Sequence, residues 1–154
     1  MKAVVYNEYA KDNDFKKILK LKDVDEPKPK ASEVIVKINT AALNYNDIWG
    51  MRGNPVPVPL PHISGSEAVG EVTELGDAVN HLKVGDRVAI HCNISCRICV
   101  ECVEGREYNC ESRYVWGYQT GPLWGGFSEF THIPEINAVK IPDNVSFEQA
   151  SASM

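Results

Sequence analysis

The 154-residue sequence lacks any apolar stretch that approaches the roughly 18 residues needed for a membrane-spanning helix. Near the N-terminus only three apolar residues, Ala3, Val4 and Val5, occur in succession. A single tyrosine follows them, and the sequence then becomes polar. That is too soon for the apolar core of a secretory signal peptide. We therefore expect a cytoplasmic protein with no membrane partner.

The sequence also lacks an excess of basic residues and a glycine-rich nucleotide motif. It has 16 Lys and Arg against 21 Asp and Glu, a net charge of −5, and no run rich in Lys or Arg. Nucleic acid would require a basic patch, so we expect no nucleic-acid partner. No Gly-x-Gly-x-x-Gly sequence occurs. This predicts that the chain contains no cofactor-binding residues of its own.

The five cysteines are an odd number in a chain without a secretory signal, which argues against a disulfide framework. Four of them follow the pattern Cys96-x2-Cys99-x2-Cys102-x7-Cys110. The two-residue gaps allow neighbouring thiolates to bind one ion, and four thiolates suit a closed structural zinc site. An iron–sulfur cluster is the main alternative, but ferredoxins of this type continue with a three-residue gap. The spacing predicts one structural zinc, with Cys92 as a small core residue outside the site.

Most of the remaining sequence consists of short segments rich in β-branched residues, separated by Gly, Pro, Asn and Asp. The predicted strands are 2–6, 19–24, 34–38, 69–75, 87–91, 126–133 and 138–141. Hardly any helix is predicted between them. Many short strands with few helices favour a mainly β fold, a small β-barrel into which the zinc lobe is inserted.

The end of the sequence is the exception, because Ser146 and Gln149 form the pattern of a helical capping box. A helix is therefore predicted from Phe147, and about two turns of it precede residue 154. A helix of that length is marginal alone, so we expect a cut at a domain boundary. The predicted division is a substrate-side domain at 1–146, with the zinc lobe at 92–113, followed by the start of a linking helix at 147–154.

Several motifs together resemble the N-terminal, GroES-like catalytic domain of the medium-chain dehydrogenase/reductase superfamily, the zinc-containing alcohol dehydrogenases and their relatives. The motifs are the cysteine lobe, Asp25-Glu26-Pro27-x-Pro29, Gly65-x-Glu67-x-x-Gly70-x-Val72 and Val84-Gly85-Asp86-Arg87-Val88. The resemblance covers the whole chain. It implies a GroES-like barrel, NADP or NAD bound by a missing Rossmann domain, and a homo-oligomeric full-length enzyme.

Two positions depart from the alcohol dehydrogenase pattern. Where those enzymes have a cysteine and a histidine that bind a catalytic zinc, this chain has Asn44 and Ser66. An amide oxygen and a hydroxyl are weak zinc ligands. We therefore expect no catalytic zinc, and without it alcohol oxidation loses its Lewis acid.

The zinc-free branch of the superfamily contains quinone and enoyl reductases, and four strings here resemble crotonyl-CoA reductases in particular. These strings are Asn44-Tyr45-Asn46-x-x-Trp49, His62-Ile63-x-Gly65-Ser66, Val88-x-Ile90-His91-Cys92-Asn93 and Trp116-Gly117-Tyr118-x-Thr120. The resemblance implies NADPH-dependent reduction of a conjugated C=C bond in a small substrate, with an acyl-CoA among the candidates. Those enzymes generally lack the cysteine lobe. Gln119 also replaces a glutamate of the reductive carboxylases, so carboxylation is not expected.

The resemblance places candidate catalytic residues at Asn44, Asn46 and Gln119. It also implies a substrate pocket formed by the residues Tyr45, Trp49, Ser66 and Tyr118. Each has an ordinary structural alternative, since an asparagine can satisfy backbone at a strand end and aromatic residues commonly fill a core. For Glu67, beside the lost metal site, the structural alternative is a salt bridge or a cap. For His62 and His91 it is a hydrogen-bonded structural residue.

Two other functions stay open at this point. One is an alcohol dehydrogenase with altered catalytic-zinc ligands, and the other is a non-catalytic module stabilised by zinc. In every case the chain alone is expected to be inactive, because nothing in it binds the cofactor.

Overall fold

The computed structural model describes residues 1–153. Its strands are β1 (Lys2–Val5), β2 (Lys20–Asp23), β3 (Glu33–Ala42), β4 (Glu67–Leu75), β5 (Arg87–Ile90), β6 (Asn93–Ile94), β7 (Tyr114–Val115), β8 (Phe130–Pro134) and β9 (Ala138–Lys140). Its helices are α1 (Phe15–Ile18), α2 (Tyr45–Arg52), α3 (Val100–Val103) and α4 (Phe147–Ser151), with single 3-10 turns at Glu107–Asn109 and Glu135–Asn137. The expectation of a mainly β fold is confirmed.

The centre of the molecule is a five-stranded antiparallel sheet in the order β8-β3-β4-β5-β9. Val34 of β3 pairs with Leu75 on one side and with Ile133 on the other. The core cluster beneath the sheet includes Val34 and Ile133 together with Val72 and the fully buried Trp116. Each such aliphatic side chain contributes about 1.5–3 kcal/mol relative to an exposed one.

A second cluster lies beneath α2 and beside the β1–β2 hairpin. It contains Tyr6, Ile18, Met51, Val58 and Tyr118. These residues come from segments far apart in the sequence. The cluster therefore fixes α2 against the N-terminal strands.

Helix α2 was not predicted, so the expectation of hardly any helix is wrong for residues 45–52. Asn44 and Asp47 form a reciprocal capping box at its start, and Gly53 ends it in the left-handed conformation with φ 65°. Gly50 weakens the helical pattern from inside. A Cβ atom at that position would lie 2.8 Å from the Tyr6 hydroxyl, so the glycine allows the helix to approach β1 closely.

The C-terminal helix is confirmed, with Ser146 as its N-cap and a complete capping box to Gln149. Residue 154, the last of the predicted 147–154 segment, lies outside the described residues. Among residues 1–153, no helix is long and apolar enough to cross a membrane.

The predicted strand at 126–133 is only partly correct, since β8 begins at Phe130. The preceding residues bond to a different segment: Gly126 N–H donates to Gly65 O and Phe127 N–H to Ser64 O, at 2.8 and 2.9 Å. This contact brings the loop before β8 against the start of β4. Gly65 has a φ of 101°, which a side chain would not favour.

Candidate metal centre and candidate active site

The four cysteines of the lobe converge in the structure. The sulfur atoms of Cys96, Cys99, Cys102 and Cys110 all lie within 4.8 Å of one another, and the Cys96–Cys102 pair is 3.9 Å apart. A tetrahedral zinc with thiolate bonds of about 2.3 Å requires sulfur atoms about 3.8 Å apart. The donor set and its spacing therefore fit one zinc ion. No other group of three or more His, Cys, Asp or Glu side chains converges in this way within the described residues.

The local backbone of the lobe favours thiolates. Cys99 N–H donates to the Cys96 sulfur at 3.4 Å, and Cys96 N–H donates to the Cys110 sulfur at 3.5 Å. Backbone N–H groups of Ile98 and Cys99 lower the pKa of the Cys96 thiol to about 6. Hydrogen bonds of this kind stabilise the charged form of a ligand before the metal arrives.

Two arginines of the lobe, Arg97 and Arg106, are paired with glutamates. Arg97 lies 2.8 Å from Glu107, and Arg106 lies 2.9 Å from Glu101. These pairs connect the two halves of the lobe across its surface. Exposed pairs of this type contribute little stability, about 0–1 kcal/mol each.

Cys92 lies outside the cysteine cluster, as predicted. It is half-buried against the main core, and burial raises the pKa of its thiol. A thiol with a raised pKa is a poor nucleophile and a poor metal ligand at neutral pH.

Asn44 is committed to local hydrogen bonds. Its Oδ1 accepts from Asn46 N–H at 3.0 Å, and its Nδ2 donates to the Glu67 carboxylate in a short contact. The residue thus caps α2 and joins it to the start of β4. Its side chain has little hydrogen-bonding capacity left for a substrate.

Asp47 is the residue of this region that the sequence analysis missed. Its two carboxylate oxygens accept from Asn44 N–H at 2.8 Å and from Gly65 N–H at 2.9 Å. Asp47 is buried, and this burial raises its pKa although both backbone bonds oppose the change. The Asn44-x-x-Asp47 spacing, followed by Gly53, was the available signal for both the helix and this bridge.

Ser66 is buried beside these residues. Its hydroxyl has no hydrogen-bond partner among the residues that the structure describes. At the two positions that depart from the zinc-ligand pattern, the Asn44 amide is bonded to Glu67 and the Ser66 hydroxyl has no partner among the described residues. Neither arrangement presents a strong ligand for zinc.

An apolar cavity of about 490 Å³ opens beside the start of α2. Its lining residues are Val4, Tyr6, Leu19, Leu43, Asn44, Tyr45, Asp47, Ile48, Met51, Ser64 and Phe127. Polar groups are few, and two of them pair with each other, since the hydroxyls of Tyr6 and Ser64 lie 3.4 Å apart. Burial raises the pKa of Tyr6. Volume and lining are typical of a site for a small, largely apolar ligand.

Of the residues predicted for a substrate pocket or for catalysis, only Asn44 and Tyr45 line this cavity. Tyr45, Trp49 and Tyr118 form a row, with ring centroids 5.4 and 6.4 Å apart. Tyr45 and Trp49 are exposed, whereas Tyr118 is buried. The structure therefore joins the three predicted aromatic residues, but as a row along α2 and not as walls of one slot.

The remaining candidates do not line the cavity, although Asn46 stands between its lining residues Tyr45 and Asp47. Gln119 accepts from Val115 N–H at 2.9 Å, which stabilises the turn after β7. His62 is fully buried between the carbonyls of Pro59 and Gly117, and burial lowers its pKa. Asn46 lies in the first turn of α2, and its side-chain amide makes no hydrogen bond within residues 1–153. Asn46 is therefore the predicted catalytic asparagine with a free donor.

Comparison with known proteins was consistent with this geometry. Residues 30–143 match the family described as the alcohol dehydrogenase GroES-like domain. An alcohol dehydrogenase from Geobacillus stearothermophilus is 40% identical over 153 residues, which are 98% of this chain and 43% of that protein. A crotonyl-CoA carboxylase/reductase from Cereibacter sphaeroides is 35% identical over 139 residues, 86% of this chain and 32% of that protein.

A solved structure of an NAD-dependent alcohol dehydrogenase superimposes with a TM-score of 0.90 and 33% identity, and covers 99% of this chain. The chain in turn covers 43% of that protein. It thus spans less than half the length of the relatives that it matches.

Proposed function

Because this chain belongs to the family of alcohol dehydrogenase GroES-like domains, we propose that it is the substrate-side half of a reductase that acts on a conjugated C=C bond. The cofactor, NADPH or NADH, would be held by a nucleotide-binding Rossmann domain in the remainder of the protein. The substrate class is a 2-enoyl thioester or a quinone-like molecule. The proposed domain comprises 1–146 with its zinc lobe at 92–113, and 147–154 leads to the second half.

The observation that carries this proposal is the pair Asn44 and Ser66. They stand where the resemblance to alcohol dehydrogenases implies a cysteine and a histidine, and the Asn44 amide is bonded to Glu67. These side chains do not fit a catalytic zinc. Reduction of a conjugated C=C bond requires no Lewis acid if hydrogen-bond donors hold the developing negative charge.

The apolar cavity supports the same substrate class. When bound, the nicotinamide would supply the hydride for the β-carbon of the conjugated bond, and a proton from solvent would complete the reduction at the α-carbon. The side chains of Leu43, Ile48 and Phe127 would bind the hydrocarbon part and exclude water. The free amide of Asn46, beside the cavity in the first turn of α2, is the donor we assign to the substrate carbonyl oxygen.

The cysteine lobe is proposed to hold one zinc ion with a structural role. Four thiolate ligands leave no open position for water or substrate. The lobe's own residues are otherwise poorly packed, since Ile98, Val100 and Val103 are all exposed. Metal binding would therefore supply much of the free energy that orders it.

The decisive experiment compares two activities of the full-length enzyme. We expect it to reduce a 2-enoyl-CoA far faster than it oxidises any simple alcohol, with one zinc per chain. The second candidate is an alcohol dehydrogenase with altered ligands, favoured by the 40% identity to the Geobacillus enzyme. A preference for alcohols together with two zinc ions per chain would establish that candidate and contradict ours.

A third possibility, a zinc-stabilised module without catalysis, makes a different prediction. Such a protein would bind one zinc and show neither activity, even with its natural downstream sequence present. Activity on either substrate class would exclude it.

A further inference from the structure

The Gly85-Asp86-Arg87-Val88 run, part of one of the motifs that resemble the dehydrogenase superfamily, contacts the segment that leads into α4. That segment, residues 140–147, runs from the last residue of β9 to the first residue of α4, with no other strand or helix between them. Side chains of both Asp86 and Arg87 reach across to it. The motif therefore binds the part of the chain through which α4 leaves the sheet.

Arg87 makes most of these contacts. Its guanidinium donates to Val145 O at 2.6 Å and, more weakly, to Pro142 O and Asp143 O at 3.5 and 3.4 Å. The same guanidinium lies over the ring of Phe147, 4.5 Å from its centroid. One planar group thus binds three carbonyls and the first residue of α4. A lysine ammonium has neither the planar shape nor the number of donors to do this.

A second contact fixes the other end of the segment. Lys140 lies 2.8 Å from the Asp86 carboxylate, and Ile141 N–H donates to Arg87 O at 2.9 Å. The segment is held at its start by the strand and this ion pair. Within residues 1–153, Arg87 is the only charged side chain that binds the segment near α4.

Helix α4 packs on β3 and β4, and its contacts with the sheet are mainly apolar. It has five residues, too short to be stable by itself. Ala150 packs on Val69 of β4 in a small cluster with Ile141. Val69 stands two residues after Glu67, which bonds to Asn44 at the candidate active site. The direction of α4 is therefore set close to the site, and Arg87 is its main polar anchor.

We propose that Arg87 is a positioning residue that fixes the direction in which the chain leaves the sheet. This orients the second half of the protein, and the cofactor that it holds, against Asn46 and the apolar cavity. The statement about the second half rests on the proposed function. The contacts of Asp86 and Arg87 with residues 140–147, which we call the clamp, do not depend on that function.

Hydrogen exchange of the 154-residue chain tests the clamp and requires no activity assay. Arg87→Lys and Arg87→Met should speed exchange at the Val145 and Ala150 amides by roughly tenfold or more, because hydrogen bonds to a charged group are lost. The amides between β3 and β4 should keep their protection in both variants. Arg113→Met is the matched control, since that exposed side chain makes no hydrogen bond or ion pair within the described residues. Unchanged exchange at 145–150 in both Arg87 variants would overturn the clamp.

The full-length enzyme tests the positioning role. With Arg87→Lys we expect kcat to fall about tenfold while the Kd for NADPH stays unchanged, because misplacement of the two reacting groups slows transfer without loss of cofactor binding. Faster exchange with an unchanged kcat would show a purely structural contact and would contradict positioning. A wild-type enzyme inactive on enoyl thioesters would contradict the proposed function, whereas the exchange result would still decide the clamp.

Discussion

At the scale of single residues, the carboxylate of Asp47 joins two segments that are distant in the sequence. It binds the backbone at Asn44 and at Gly65. Asp47→Ala should lower the free energy of unfolding by about 2 kcal/mol or more, since it leaves two backbone donors without partners. Urea unfolding measures this, with the exposed Asp77→Ala as a control for the loss of one negative charge. Equal stability of the two variants would show that the bridge contributes nothing.

The same residue predicts a dependence on pH. Burial raises the folded-state pKa of Asp47 above its ordinary value of 3.8. A raised pKa means that the folded state holds the proton more tightly, so the stabilising contribution is greatest below that ordinary value. It decreases as the pH rises through the folded-state pKa. The loss caused by Asp47→Ala should therefore be larger at about pH 4 than at about pH 7.

The two asparagines at the start of α2 should respond differently to truncation. Asn44→Ala removes an N-cap and should cost about 1 kcal/mol of stability as well as lowering turnover. Asn44→Ser should recover the stability, because serine can also cap. Asn46→Ala should lower kcat of the full-length enzyme with little change in unfolding. An Asn46→Ala enzyme with wild-type kcat would remove that residue from the proposed mechanism.

At the scale of elements, the cysteine lobe should order only with its metal. Cys102→Ser is expected to disorder the chain from Ile94 to about Arg113 and to reduce bound zinc below about one tenth per chain, since structural zinc contributes folding free energy directly. The main sheet should persist, because the lobe leaves its apolar residues exposed. Circular dichroism and metal analysis measure both effects. Cys92→Ser, outside the cluster, should retain one zinc, and global unfolding of Cys102→Ser at room temperature would place the lobe within the main core.

The elements also show what the sequence could predict. The cysteine lobe and the cap of α4 were predictable because each depends on a short pattern with a local physical cause. Helix α2 was not predictable, because Gly50 and the polar composition leave no clear helical periodicity of apolar residues. Gly50 is needed because a side chain there would collide with Tyr6. The apolar cavity could not be predicted from the sequence for a different reason. Val4, Leu19 and Phe127 meet only when three distant segments pack together.

At the scale of the whole molecule, the prediction concerns the 154-residue chain by itself. It should not bind NADPH measurably, and it should neither reduce crotonyl-CoA nor oxidise alcohols, because hydride transfer needs the cofactor within about 3.5 Å of the substrate. Titration calorimetry and standard assays measure this, with the full-length enzyme as the positive control. Micromolar NADPH binding by the isolated chain would show that a cofactor site exists within it.

The short ladder between β6 and β7 has a consequence for how this domain can be rebuilt. Asn93 pairs with Val115 and Ile94 with Tyr114, so the two ends of the lobe are neighbours. A two-residue turn that joins Ile94 to Tyr114 would leave the path of the remaining backbone unaltered. The lobe is therefore a replaceable insertion. Protein engineers could exchange it for another metal-binding or recognition loop without redesign of the β-barrel that carries it.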